Sequence, residues 1–348
     1  MKMTFRWFGK NDPVSIQNIS QIPLMNGVVS AVYDVPVGEI WSYDSINSIK
    51  NAAKNNGLSF EVVESVPVHE DIKLGKPSRD KYIENYKENI KRLGECGIKV
   101  ICYNFMPVFD WLRSDLNHIN NDGSTSLIYR RENILQMDPS KGELSLPGWD
   151  SSYTKEGLST LLGEYKNFTE DNLWENLKYF LDSIIPTCEK YDVKMAIHPD
   201  DPPWSIFGLP RIITSFDNLK RFCDLNKSVY NGITLCTGSL GVSPSNNVPE
   251  LIRYFGSRGR IHFVHVRNVL INGDKCFNET AHPSSCGSLD IYEIMKALYD
   301  VNFGGYVRPD HGRMIWGESG KPGYGLYDRA LGAVYISGIW ESIVKSNV

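Results

Sequence analysis

The chain has 348 residues, of which 41% are hydrophobic and 22% charged, a composition typical of a globular protein and not of a disordered one. Its net charge of −4 argues against a protein that binds a nucleic-acid backbone, because such proteins normally present a basic face. The seven cysteines form no CxxC pair, which indicates reduced cytosolic thiols and not a disulfide framework.

The sequence carries no recognisable targeting or membrane segment. Residues 1–7 lack the apolar core of a signal peptide, and no run approaches the roughly 18 apolar residues that a membrane helix requires. We therefore expect a soluble, cytoplasmic protein.

Eight short runs rich in β-forming residues recur along the chain. Several are apolar on both faces, as expected of strands in a buried parallel sheet. The runs cover residues 5–8, 28–33, 59–65, 99–105, 194–198, 232–238, 260–267 and 306–310.

Helical patterns occupy most of the segments between these runs. They cover residues 45–56, 80–96, 172–191, 248–255, 290–301 and 326–348. Asp44 is the expected N-cap of the first helix, and Gly57 follows its end. The last pattern predicts a C-terminal helical tail.

Eight strand–helix units in series predict a (β/α)8 TIM barrel that forms a single domain. The alternative is an open, doubly wound sheet. Such a sheet usually carries a GxGxxG turn after its first strand, and no such turn follows Phe8. The barrel is therefore the favoured fold.

An insertion over about residues 111–168 follows the fourth strand and departs from this repeat. It is rich in Ser, Asn, Asp and Gly, yet large side chains argue against disorder. These are Trp111, Arg113, Arg130, Arg131, Trp149 and Tyr153. A segment of this length is usually functional or an interface, and here it lies on the face where barrels keep their active sites.

Ligand-type side chains end the last four strands, namely His198, Cys236, His265 and Asp310. In a barrel these strand ends converge, so two imidazoles, a thiolate and a carboxylate would form a divalent metal site. Each residue also has an ordinary interpretation: a satisfied histidine, a core cysteine or a helix cap. Mixed N, S and O donors suit Mn²⁺, Fe²⁺, Co²⁺ or Zn²⁺ better than Ca²⁺.

Strand alternation separates the two histidines of the seventh strand. His262 and His265 point to opposite faces, and His265 lies nearer the C-terminal end, so we predict His265 as the ligand and His262 as structural. Arg267 shares the face of His265. It is a candidate clamp for a substrate carboxylate, with a surface salt bridge as the alternative.

Acid–base groups stand next to the predicted metal site. His311 directly follows Asp310, and an imidazole titrates near neutrality. Tyr324 lies between two glycines, on a loop that could close over a substrate and deliver a proton. An exposed tyrosine in a turn is the alternative.

Several strings of this sequence resemble the mannonate dehydratase family. They are MTFRWFG at 3–9, VVESVPVHEDIK at 62–73, CYNFMPVFDW at 102–111, AIHPDDPP at 196–203, RPDHG at 308–312 and PGYG at 322–325. The likeness covers nearly the whole chain, and the strings are far more specific than a shared barrel.

This resemblance implies a xylose-isomerase-like TIM barrel, a Mn²⁺-type metal with Fe²⁺ or Co²⁺ as alternatives, and dehydration of D-mannonate to 2-keto-3-deoxy-D-gluconate. On the family pattern the four strand-end residues match the metal ligands, and His311 and Tyr324 match the residues of proton transfer. Within the same strings and beside them, Asn104, Arg308 and Lys321 are expected, with Arg267, to bind the substrate. We also expect a homo-oligomer that contacts neither membrane nor nucleic acid.

Two other functions are the alternatives, a metal-dependent sugar isomerase or epimerase on the same barrel and a non-catalytic sugar-acid binding protein. A metal-dependent sugar isomerase or epimerase would release neither water nor a keto-deoxy acid. A non-catalytic sugar-acid sensor would need neither a thiolate ligand nor paired acid–base residues.

Overall fold

Twelve strands are present in the computed structural model, which describes residues 1–139 and 155–347. In chain order they are β1 (Lys2–Arg6), β2 (Gly27–Ser30), β3 (Ser59–Glu64), β4 (Val100–Tyr103), β5 (Asp115–Ile119), β6 (Thr125–Arg130), β7 (Lys194–Ile197), β8 (Asn231–Cys236), β9 (Ile261–Val266), β10 (Asn268–Gly273), β11 (Cys276–Thr280) and β12 (Tyr306–Pro309).

Eight of these strands close into a parallel barrel in the order β1-β12-β9-β8-β7-β4-β3-β2. These eight correspond to the eight runs predicted from the sequence, so the (β/α)8 barrel is confirmed. The helices follow in chain order. They are α1 (Ile16–Ser20), α2 (Tyr43–Asn55), α3 (Glu70–Lys73), α4 (Arg79–Glu95), α5 (Arg131–Gln136), α6 (Lys155–Glu164), α7 (Glu170–Tyr191), α8 (Phe216–Leu225), α9 (Thr237–Gly241), α10 (Val248–Gly256), α11 (Ile291–Asp300) and α12 (Tyr327–Ser346).

The start of α2 differs from the prediction. Ser42, not Asp44, is its N-cap: Ser42 has extended backbone angles, and its hydroxyl accepts a hydrogen bond from the amide of Ser45. Asp44 lies one step inside the first turn, where its charge still interacts favourably with the helix dipole.

The remaining four strands form a second, antiparallel sheet in the order β10-β11-β6-β5. None of the four was predicted. The insertion supplies β5 and β6, and a hairpin that directly follows β9 supplies β10 and β11. The polar character of β5 hid that strand, since it reads Asp-Leu-Asn-His-Ile with every second residue exposed.

Two apolar cores follow from this architecture. The larger one lies between the barrel and its helices, and its members include Phe180, Ile184 and Leu298. A separate core under the antiparallel sheet includes Phe109, Tyr129 and Phe277. The insertion therefore packs as a folded layer over the described part of its length.

Two predicted features of the insertion, Trp149 and Tyr153, lie outside the described residues, as does Val348 at the end of the predicted tail. Within residues 1–139 and 155–347, no helix combines the length and apolar character that crossing a bilayer demands.

Candidate metal centre and active site

The four predicted ligands come together at the C-terminal ends of the barrel strands. His198 Nε2 lies 3.2 Å from His265 Nδ1, and Cys236 Sγ lies 3.4 Å from Asp310 Oδ2. His265 Nδ1 lies 3.8 Å from Asp310 Oδ1. The register of the barrel places two of the four side by side, because β8 and β9 pair Cys236 with His265 directly.

Hydrogen bonds with neighbouring groups leave lone pairs of His198 and Cys236 available to a cation. His198 Nδ1 lies 2.7 Å from the carbonyl oxygen of Pro199 and donates to it, which leaves a lone pair on Nε2. The Ser239 hydroxyl donates to Cys236 Sγ at 3.0 Å, and the Ser239 amide donates at 3.4 Å. These donors stabilise a thiolate.

Glu64 lies behind His265 and was not predicted. Its Oε2 is 3.4 Å from His265 Nε2, a charge contact without hydrogen-bond geometry that favours a proton on Nε2. With Nε2 carrying the proton, the lone pair of His265 is on Nδ1, which faces His198. Two lone pairs 3.2 Å apart favour a cation beside both, so these residues fit a divalent metal.

Arg308 pairs with both carboxylates of the site. Arg308 Nη1 lies 2.9 Å from Asp310 Oδ1, and Arg308 Nη2 lies 3.0 Å from Glu64 Oε1. Burial raises the pKa of Asp310, but Arg308, His311 and Arg267 outweigh it and hold this pKa well below its usual range. Burial acts on the pKa of Glu64 in the same way, and Arg308, His265 and Arg6 reverse it. Both carboxylates are therefore ionised.

His311 and Tyr324 form a hydrogen-bonded pair beside the ligands. His311 Nε2 lies 2.9 Å from the hydroxyl of Tyr324. Burial raises the pKa of Tyr324 above its usual value, so the phenol keeps its proton and donates to His311. The tyrosine is thus not the exposed turn residue of the alternative interpretation.

The loop before α12 holds Tyr324 in this position. Gly323 has φ = +80°, a left-handed conformation that favours glycine, and its carbonyl accepts from the amide of Gly312 at 2.9 Å. The buried guanidinium of Arg329 donates to the carbonyl oxygens of Tyr324 and Gly325. The loop predicted to be mobile is tied down at these points.

Arg267 is not available as a carboxylate clamp. Its side chain is 1% exposed and contacts three carboxylates of the protein, those of Asp201 at 2.7 Å, Glu279 at 2.8 Å and Asp310 at 3.3 Å. Strand alternation put Arg267 on the face of His265 but could not reveal partners that come from other elements. The predicted role in substrate binding therefore finds no support here.

A cavity of about 520 Å³ opens beside the ligands. Its lining includes the other three predicted substrate-binding residues, Asn104, Arg308 and Lys321. Asn104 donates its side-chain amide to Asp110, and the ammonium of Lys321 lies 4.0 Å from the ring centre of Phe8. Burial and the nearby Arg6 lower the pKa of Lys321.

The insertion reaches this cavity, and the hairpin contacts one of its lining residues, His311. Trp111, at the start of the insertion, lines it and places its ring 4.9 Å from that of His311. His262 lies elsewhere, packed against Gly232.

Glu279 of β11 contacts His311 Nδ1 with both carboxylate oxygens at 2.9 Å. Sequence reasoning missed Glu279, since no motif links residues 32 positions apart.

Comparisons with known proteins identify the family of this chain. The family model for D-mannonate dehydratase (UxuA) matches residues 1–348. "Mannonate dehydratase 2" of Halalkalibacterium halodurans is 55% identical over 343 residues, which are 99% of this chain and 99% of that protein. "Mannonate dehydratase" of Streptococcus uberis is 56% identical over 346 residues, again 99% of each chain.

Solved structures give the same result. The crystal structure of mannonate dehydratase from Streptococcus suis serotype 2 matches with a TM-score of 0.93 and 50% identity, covering 100% of this chain and 96% of that chain. A xylose isomerase domain protein from Planctomyces limnophilus matches with a TM-score of 0.55 and 10% identity, covering 99% and 98%. The second likeness shows the fold alone.

Proposed function

The chain belongs to the D-mannonate dehydratase family, and we propose that the cavity at the mouth of its barrel is where water is removed from D-mannonate. The reaction yields 2-keto-3-deoxy-D-gluconate. One observation carries the assignment of the site: the hydrogen-bonded pair His311 and Tyr324 borders the same cavity as a convergent set of metal-type ligands.

His198, Cys236, His265 and Asp310 would hold the metal. Nitrogen, thiolate and carboxylate donors together suit a borderline divalent cation, and among these we propose Mn²⁺, with Fe²⁺ or Co²⁺ as alternatives. When bound, such a cation would supply Lewis-acid stabilisation of negative charge on the substrate's oxygens.

His311 and Tyr324 carry the proton transfers in this proposal. The C2 proton of D-mannonate is only weakly acidic, so a base must remove it, and hydroxide leaves C3 readily only if it is protonated. One member of the pair takes the C2 proton and the other protonates the C3 hydroxyl, which departs as water. The enol that remains becomes the 2-keto acid.

Cationic side chains of the cavity would receive the substrate's carboxylate. Arg308 and Lys321 line the cavity with Asn104, and Arg6 lines it too. The guanidinium of Arg308 is fixed by Glu64 and Asp310, whereas no described carboxylate pairs with Lys321 within 4.0 Å. Lys321 is therefore the better candidate for the anionic end of the substrate, and Arg267 becomes a positioning residue.

The cysteines bear on the cellular location of the protein. All seven cysteines are free thiols, in keeping with a cytoplasmic location.

The outer face of α12 exposes Tyr327, Leu331 and Val334, and Trp316 packs against Tyr327. We propose that this apolar face contacts a second copy of the chain, which light scattering at several concentrations would test.

Metal dependence is the direct test of this site. The protein is treated with a chelator, desalted and incubated with D-mannonate, with and without added Mn²⁺, and 2-keto acid is measured. We expect product only after metal is restored. Full activity of the metal-free protein would contradict the proposed metal centre.

A further inference from the structure

We propose that Glu279 is a positioning residue for the dehydration: its carboxylate fixes the tautomer of His311 so that Nε2 is the basic nitrogen facing Tyr324 and the substrate cavity. The inference rests on the proposed role of His311 and Tyr324 in proton transfer. It assigns a catalytic purpose to the antiparallel sheet, which carries Glu279 on β11.

The distances around the imidazole define the tautomer. Both oxygens of Glu279 lie 2.9 Å from His311 Nδ1, and the hydroxyl of Tyr324 lies 2.9 Å from Nε2. A carboxylate can only accept hydrogen bonds, so its two contacts favour a proton on Nδ1. In a neutral imidazole Nε2 then holds the lone pair, and it accepts from the phenol.

A competing contact on Nδ1 makes Glu279 necessary. Arg267 Nη1 lies 2.7 Å from His311 Nδ1, and a guanidinium can only donate. On its own this contact would favour a lone pair on Nδ1 and a proton on Nε2, the opposite tautomer. Glu279 Oε1 also accepts from Arg267 Nη1 at 2.8 Å, so the carboxylate gives the arginine an acceptor other than the imidazole.

The position of Glu279 is itself fixed from the insertion. Arg113 donates to Glu279 Oε1 from Nη2 at 2.6 Å and from Nε at 2.9 Å, and all of these side chains are buried. Arg113 also pairs with Asp201 at 2.8 Å. Two arginines and two carboxylates thus form a compact, charge-balanced cluster of Arg113, Arg267, Asp201 and Glu279.

Only one carboxylate of this cluster contacts His311 with hydrogen-bond geometry, and that difference supplies a matched control. Asp201 pairs with the same two arginines as Glu279, but it forms no described hydrogen bond with the imidazole. Glu279→Gln and Asp201→Asn each remove one negative charge from the cluster. Only Glu279→Gln removes the carboxylate from Nδ1.

The decisive readout is the tautomer of His311. Protein labelled with [¹⁵N]histidine and loaded with diamagnetic Zn²⁺ is examined by long-range ¹H–¹⁵N correlation, and His311→Asn identifies the signal among the seven histidines. We expect the Nδ1–H tautomer in the wild type and in Asp201→Asn, and the Nε2–H tautomer or a mixture in Glu279→Gln. The kcat of Glu279→Gln should fall about 10- to 100-fold, with KM changed less than about threefold.

Two results would overturn the inference. One is an Nε2–H tautomer in the wild type, a measurement that needs no variant to fold. The other is a folded Glu279→Gln protein that keeps the Nδ1–H tautomer and a kcat within twofold of the wild type. Near-normal turnover of His311→Asn would instead refute the proton-transfer role of His311, while the dependence of its tautomer on Glu279 would stand.

Discussion

His198 and His265 are separated by 67 positions in the sequence, yet their Nε2 and Nδ1 atoms lie 3.2 Å apart. The Pro199 carbonyl accepts from His198 Nδ1, and the Glu64 carboxylate lies 3.4 Å from His265 Nε2, so both contacts favour lone pairs on the two facing nitrogens. Such an approach is favourable when a cation lies beside both nitrogens. The thiolate and the carboxylate next to them complete a set of ligands for that cation.

Replacing the thiolate should weaken metal binding selectively. Cys236→Ser replaces an anionic thiolate with a neutral hydroxyl, so we expect the affinity for Mn²⁺ to fall at least about 10-fold, as measured by isothermal titration calorimetry. The exposed Cys286 offers a control, and Cys286→Ser should bind Mn²⁺ as the wild type does. Equal affinities of the two variants would show that Cys236 is not a ligand.

Removing either proton-transfer group should reduce kcat and leave metal binding intact. General acid–base groups typically contribute about 10²- to 10⁴-fold to a rate, and we expect a loss in this range for His311→Asn and for Tyr324→Phe. Calorimetric Mn²⁺ affinity should stay within about threefold of the wild type in both. Turnover close to normal in either variant would remove that residue from the mechanism.

Neutralising Lys321 should affect substrate binding more than chemistry. A charge-assisted contact with a carboxylate is worth about 1.5–3 kcal/mol, so Lys321→Gln should raise KM for D-mannonate about 10-fold or more. Its kcat should change less. Lys345 pairs with Glu341 on α12, away from the cavity, and Lys345→Gln serves as the matched control. An unchanged KM in Lys321→Gln would mean that residues other than Lys321 bind the substrate's carboxylate.

His262 should make the stability of the fold depend on pH. Burial, with the charges of Lys194 and Arg260, lowers the pKa of His262 to about 3. Below about pH 6.5 the imidazole of His262 binds a proton in the unfolded chain but stays neutral in the folded protein. The free energy of unfolding therefore decreases as the pH falls from 6.5 toward 3. Between pH 7 and pH 5 this single group should cost about 2 kcal/mol.

Urea denaturation of the wild type and of His262→Gln at pH 7 and pH 5 measures this difference, because every other titrating group is common to the two proteins. The free energy of unfolding should fall more steeply in the wild type. Parallel pH profiles would mean that His262 is protonated in the folded protein or exposed.

The barrel could be predicted because its strands are buried on both faces and therefore form continuous apolar runs, as β8 and β9 do. The polar, half-exposed β5 and the hairpin of β10 and β11 have no such pattern, and their pairing is decided by contacts across the mouth of the barrel. Local sequence could not reveal this second sheet.

The candidate site, like the fold, could be predicted from the sequence only in part. Convergence of strand ends led to the proposed ligands His198 and Asp310, which the structure brings together, and alternation separated His265 from His262. The sequence could not show which groups pair with the buried charges, since the contacts of Arg267 and Glu279 come from three different elements. Glu64 and Glu279 were missed for this reason, and the role predicted for Arg267 had no support.

The fate of the substrate's protons in D₂O tests the dehydration at this site most directly. Metal-reconstituted protein is incubated with D-mannonate in D₂O, and the product is followed by ¹H NMR. We predict 2-keto-3-deoxy-D-gluconate with one deuteron at C3, formed by the wild type and lost in His311→Asn. A product that retains the C3 hydroxyl, such as an epimer or a ketose, would contradict the proposal.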